Sequence, residues 1–212
     1  MCSIELIHKA IRLSQEPEVI AVLEQFIRAN TVVKNQKFNL AVFVDKSSIH
    51  ESAKGIYHKD GYRYVTNGFI LVAVKSEYDE RFEDKIISPS GEIINTRFPD
   101  WRVAIELILI RTELKLQKPL QEIIRYIKEN EAVAKAKGQE LIVSIYHEGS
   151  LTYFFSKDLF QLMLFLKIYP QSTLYIQDNY CLYANDGENF FLMKNKIIDI
   201  CYMDNYSVIT LQ

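Results

Sequence analysis

At 212 residues the chain has room for one large domain or two small ones, and a hydrophobic content of 49% excludes disorder as its dominant state. Lys and Arg number 25 against 27 Asp and Glu, a formal charge of -2, which excludes a histone-like polycation and leaves any nucleic-acid contact to a local basic face. Only 7 glycines and 5 prolines beside 13 tyrosines describe a chain suited to strands and short of flexible linker.

The first thirty residues carry helical spacing: Ile4, Ile7 and Ile11, then Val19, Ile20, Leu23 and Ile27, with Glu16 and Pro17 as a break between two short helices or within one kinked helix. Residues 1–12 alternate charged and apolar side chains, which does not fit a secretory signal, and no apolar run approaches the roughly 20 residues that span a bilayer. A soluble, cytoplasmic protein with no membrane partner is expected. Residues 38–44 predict a strand, closed by the turn or cap cluster Asp45-Lys46-Ser47-Ser48.

Residues 55–58 and 62–65 alternate around Lys59-Asp60-Gly61 and predict a hairpin, because Asp-Gly supplies the positive φ of a tight turn. Asn67-Gly68 marks a second turn into residues 69–74, so three antiparallel strands form a meander. Glu77, Asp79, Glu80, Glu83 and Asp84 follow, interleaved with Lys75, Arg81 and Lys85, a pattern that fits a solvated loop better than a cation site. Two short β segments flank Ser88-Pro89-Ser90-Gly91, and Phe98-Pro99-Asp100-Trp101 interrupts the chain again.

The second half repeats the plan. Residues 105–110 predict a buried strand and 117–137 a long amphipathic helix, with Pro119 in its first turn and Gly138 at its end. Strands are expected at 141–146 and 151–155 around a turn at 147–150. Ser156 is expected to cap a helix over 157–168 that Pro170 stops. Strands at 173–177, 180–184 and 190–197 come next, then β segments at 200–203 and 208–211. Helices and antiparallel meanders in alternation make the fold class α+β.

Enzymatic constellations are missing: no G-x-S-x-G, G-x-x-x-x-G-K-[ST], H-E-x-x-H or G-x-G-x-x-G is present. His8, His50, His58 and His147 are scattered, and His147 reads as a solvent-exposed turn residue. Cys2, Cys181 and Cys201 are odd in number and widely spaced, which predicts neither a disulfide framework nor a zinc site. No cofactor, metal or catalytic residue is expected.

Several segments resemble one known family. Residues 64–73, Tyr-Val-Thr-Asn-Gly-Phe-Ile-Leu-Val-Ala, resemble the "ATDGHRLA" hairpin of bacterial DNA sliding clamps, the β subunits of the replicative polymerase. Residues 97–105 are similar to the clamps' "FPDYRRVLP" link between middle and last domains, and 156–193 to their last domain with its terminal "VVMPMRL". Asn67 stands for the motif's Asp, Phe69 for its His, Glu106 where a Pro is expected, and Lys194-Asn195 for the terminal Pro-Met. The resemblance implies two clamp-like domains, 1–105 and 106–212, each with its own meander sheet and helices on one side, packed at the 98–101 link. By that expectation a single continuous sheet would argue against a clamp.

The same resemblance implies a noncatalytic processivity or tethering factor that binds duplex DNA independently of sequence and takes short hydrophobic peptide motifs of replication or repair proteins. Two domains per chain would imply a homo-oligomeric ring, a trimer. The alternative is a clamp-fold protein-interaction module without ring or DNA. On the 117–137 helix Leu120, Ile123, Ile124 and Ile127 gather on one side, and Lys118, Arg125, Lys128 and Lys135 form a stripe on the other. The stripe suits a phosphate backbone, or an ordinary solvated face in which Glu122 and Glu129 pair with it. The peptide groove implied by the resemblance would be lined by Leu71, Pro99, Ala104, Leu192 and Met193, side chains that also suit an interdomain core.

Overall fold

A computed structural model describes residues 38–100, 112–177, 181–195 and 205–211. The chain divides into two compact units, Met1–Phe38 and Asn39–Gln212, and every element named below belongs to the second. The expected N-terminal helices, the strands at 105–110 and 200–203, and the domain boundary between Ile105 and Glu106 lie outside the described residues.

The strand expected over 38–44 is instead a 3-10 helix, Leu40–Phe43. Asn39 explains the difference: its side-chain oxygen accepts from the Ala41 backbone N–H at 3.1 Å, a local bond that competes with strand pairing. A second 3-10 turn, Glu51–Lys54, precedes β1 (Ile56–Lys59). β1, β2 (Tyr62–Thr66) and β3 (Ile70–Lys75) form the expected antiparallel meander. Asp60 and Gly61 both take positive φ, 51° and 78°, the backbone that a right-handed twisted hairpin demands. The short strands β4 (Lys85–Ile87) and β5 (Ile93–Ile94) extend this meander beyond β1.

β6 (Thr112–Glu113) opens the second half, followed by α1 (Leu120–Ala136), whose inner face buries Ile123, Ile127 and Ala134. β7 (Glu140–His147) and β8 (Ser150–Phe155) pair antiparallel. α2 (Ser156–Ile168) begins at Ser156 itself, so this serine is the first helical residue and not the expected cap; its hydroxyl points to Glu131 of α1 at 3.4 Å. A second meander, β9 (Thr173–Gln177), β10 (Cys181–Asn185) and β11 (Phe190–Lys194), follows. β12 (Tyr206–Leu211) runs parallel to β7, fixed by the buried Ser144 hydroxyl 2.8 Å from that of Thr210.

The two meanders are not separate sheets. β3 and β11 pair antiparallel, so the order β5-β4-β1-β2-β3-β11-β10-β9-β6 is one nine-stranded sheet, with β12-β7-β8 as a second sheet. Alternation along the strands divides the large sheet into two faces. Tyr64, Leu71, Ala73, Tyr183, Phe190 and Leu192 belong to a buried cluster with Phe98 on one face. On the other, Phe191 meets Phe43 edge-on at 5.6 Å and Phe165 of α2 at 5.7 Å.

Candidate functional site

The junction of the meanders begins with a turn. Asn67 Oδ1 accepts from the backbone N–H groups of Phe69 (3.0 Å) and Ile70 (2.8 Å), while the Thr66 hydroxyl accepts from Gly68 N–H at 3.1 Å. Gly68 sits at φ 88°, a conformation that favours glycine. The amide of Asn67 thus performs the capping task an aspartate would perform, and the departure from the clamp motif leaves the turn intact. The turn between β10 and β11 is built alike: Asp186 Oδ1 accepts from Glu188 and Asn189 N–H at 2.9 and 2.6 Å. Asn189 Oδ1 then accepts from Lys75 N–H at 2.8 Å, and Lys75 pairs with Glu188 at 2.5 Å, which ties the second turn to the end of β3.

Across the junction Leu71 faces Leu192 directly, and Phe69 C=O accepts from Lys194 N–H at 2.9 Å. Beside this pair lies a cavity of about 320 Å³, walled by residues 66–71 of the hairpin, Phe98, Pro99 and Asp100 of the link, Leu192 and Lys194 of β11, and His50, Ser52 and Ala53. That volume is at the lower end of small-ligand cavities, roughly 300–1,000 Å³. Phe69 stands at its mouth with 67% of its surface exposed.

Three of the five expected groove residues, Leu71, Pro99 and Leu192, are therefore brought together. Ala104 lies outside the described residues. Met193 is a correction: it is 1% exposed and does not line the cavity, because strand alternation sends it to the opposite face from Leu192, between Ile70 on β3 and Leu182 on β10. Its place in the groove is taken by Lys194. Sequence reasoning missed that lysine as a lining residue, together with His50 and the lip formed by Phe69; a strict count of two along β11 from Leu192 would have found Lys194.

A second, more polar cavity of about 540 Å³ lies across the Phe98–Asp100 ridge. Tyr57 stacks on Phe98 there, 4.8 Å between centroids, and its hydroxyl donates to Asp84, which Lys59 also reaches at 3.3 Å. Burial, and then the Asp84 carboxylate, push the Tyr57 phenol upward. The neighbouring acidic loop is internally satisfied: Arg81 grips Asp79 at 2.6 Å and holds that carboxyl at about 2, and Tyr78 donates to Glu83. Among the described residues no group of three His, Cys, Asp or Glu is arranged to hold a metal ion. His147, expected in solvent, is half-buried, with its Nε2 3.8 Å from Glu148.

All four residues of the basic stripe are exposed, Lys118 just ahead of α1 and the others on it. Three of them lie against neighbouring side chains. Arg125 lies 3.9 Å from Glu129, Lys128 over the Phe160 ring at 5.0 Å, and Lys118 over Tyr126 at 5.7 Å. Among the described residues no helix is long and apolar enough to cross a membrane.

The architecture is that of the bacterial sliding-clamp fold. Among solved structures the chain is similar to the DNA polymerase III subunit beta sliding clamp of Bartonella birtlesii bound to griselimycin, with TM-score 0.54 and 11% identity over 81% of this chain and 64% of that one. It is similar also to Caulobacter crescentus pol III beta (TM-score 0.53, 9% identity, 80% and 65% covered). A third is the beta subunit from Borrelia burgdorferi in complex with a natural product (TM-score 0.51, 12% identity, 81% and 61% covered). The chain spans less than two thirds of the length of these clamps, and at such identities the likeness is one of fold. No protein-family model matches the chain, and no curated protein matches it. The continuous sheet, expected above to argue against a clamp, is therefore compatible with the clamp fold.

Proposed function

We propose that the protein is a noncatalytic, sliding-clamp-like tethering factor, built of two clamp-like domains that meet between Ile105 and Glu106, whose working surface is the groove at the β3–β11 junction. The observation that carries this reading is the meeting of Leu71, Pro99 and Leu192, distant in sequence, around one open cavity with an exposed aromatic lip. An inserted Leu or Phe anchor would bury apolar area worth about 1.5–3 kcal/mol, enough to select short hydrophobic peptides of replication or repair proteins. The α1 stripe would meet duplex DNA through its backbone alone, and copies of the chain would assemble around it.

A second reading, an interaction module without ring or DNA, is favoured by the charge balance of α1. Glu122, Glu129 and Glu131 oppose Arg125, Lys128 and Lys135 along its length. The two readings separate on a duplex titration with the full chain, read beside its mass by light scattering at micromolar concentration. Four phosphate contacts would give a slope of about -3.6 for log K against log[salt], flattened by Arg125→Glu with Lys128→Glu. A monomer without measurable duplex affinity at about 50 mM salt, where the electrostatic attraction is least screened, leaves the interaction module.

A further inference from the structure

The acidic segment 77–84 lies across one face of the sheet as a strap, and beneath it is His58 of β1, 7% exposed, with its Nδ1 buried and unpartnered among the described residues. In this segment only Tyr78 and Phe82 are not exposed, and their rings close on the imidazole at 5.0 and 5.9 Å between centroids. Two cations hold the strap by its backbone: Arg63 of β2 donates to Glu77 C=O at 2.9 Å, and Lys85 of β4 donates to Arg81 C=O at 2.7 Å. Both are register partners of His58, one on each side, so the imidazole sits between two positive side chains on the same face. From the strap, the opposing charge is the Glu83 carboxylate, which already accepts from the Tyr78 hydroxyl and from Asp60 N–H at 3.0 Å.

We propose that His58 is a pH latch: its neutral imidazole keeps the 77–84 strap closed, and protonation in mild acid lifts the strap and bares the Tyr78 and Phe82 rings. A neutral ring tolerates burial under two aromatic rings, whereas an imidazolium there is stripped of water and repelled by its register partners. Burial, and then the Arg63 guanidinium, push the His58 imidazole below its ordinary value of 6.5, against the smaller pull of the Lys85 and Ile56 backbone and of Glu83. The sign follows from that direction: the closed strap is fully favoured above 6.5 and loses up to about tenfold per pH unit below it, until the closed-state value is passed. Asp79, Glu83 and Asp84 are held below the ordinary carboxylate value and stay charged through that range, so these three do not supply the switch.

The test is an NMR titration of the His58 ring in the full chain from about pH 7.5 to about pH 5, beside hydrogen exchange of the Phe82, Glu83 and Asp84 amides, which donate to the Asp79, Glu80 and His58 carbonyls in the closed strap. The ring should titrate below 6.5, and from that value down the protection of these amides, corrected for the intrinsic exchange rate, should fall by up to about tenfold per pH unit while β2 and β3 keep theirs. His58→Gln should hold the strap's protection constant across the range, and Phe82→Ala, which uncovers the ring, should bring its titration back toward 6.5. A wild-type ring that titrates at or above 6.5, strap protection equal at the two ends of the range, the same fall in His58→Gln, or loss of protection in β2 and β3 together with the strap would each overturn the latch.

Discussion

Replacing Met193 by Asp puts a carboxylate at a buried position of the sheet, between Ile70 and Leu182 and 1% exposed. Losing the buried methionine removes apolar transfer worth about 2 kcal/mol. The carboxyl has no partner there and must take up a proton; holding it neutral at pH 7, some three units above its ordinary value, costs about 4 kcal/mol more. A loss of about 6 kcal/mol approaches or exceeds the whole stability of many domains, roughly 5–15 kcal/mol. Met193→Leu, which conserves volume, should cost less than about 1.5 kcal/mol. Urea unfolding followed by far-UV circular dichroism measures both. The sign with pH is fixed: the folded-state pKa of the new carboxyl is raised, so the deficit is smallest below its unfolded value near 4 and grows as pH rises. An Asp variant within about 1 kcal/mol of wild type at pH 7 would mean that the side chain reaches solvent, and would refute its placement on the helix side.

Asn67→Ala removes the oxygen that receives two backbone N–H groups and should cost about 1–2 kcal/mol in the same assay, whereas Asn67→Asp should stay within about 0.5 kcal/mol. In an NMR titration the Asp79 carboxyl should titrate at about 2 and move up toward the ordinary carboxylate range in Arg81→Ala; its contribution is present above that range and is lost as pH falls through about 2. Cys181, buried and with its thiol pushed up to about 11, should resist alkylation at pH 8 in the native protein and react fully in urea, read site by site by mass spectrometry.

Much of the fold was legible because the local signals agree with one another. The period of 3.6 over α1, the Asp-Gly and Asn-Gly turns, the alternating run of β9 and the continuous apolar runs of β3 and β11 each specify an element without help from distant residues. Leu40–Phe43 was misread because its apolar run suits a strand equally well and only the Asn39 cap decides otherwise. The β3–β11 pairing and the parallel β12 depend on contacts between remote segments, which no local pattern encodes. Leu71, Pro99 and Leu192 were legible through their motifs. Met193 was misplaced by one position, and one position along a strand is a whole face.

The most direct test of the groove is a ¹H–¹⁵N chemical-shift titration of the full chain with the peptide Gly-Ser-Leu-Phe-Asp-Gly-Ser. Saturable shifts should concentrate at the amides of Phe69, Leu71, Leu192 and Lys194, with those of α1 unmoved. Shifts confined to other surfaces, or none at millimolar peptide, would contradict the assignment of this groove as the working surface of the protein.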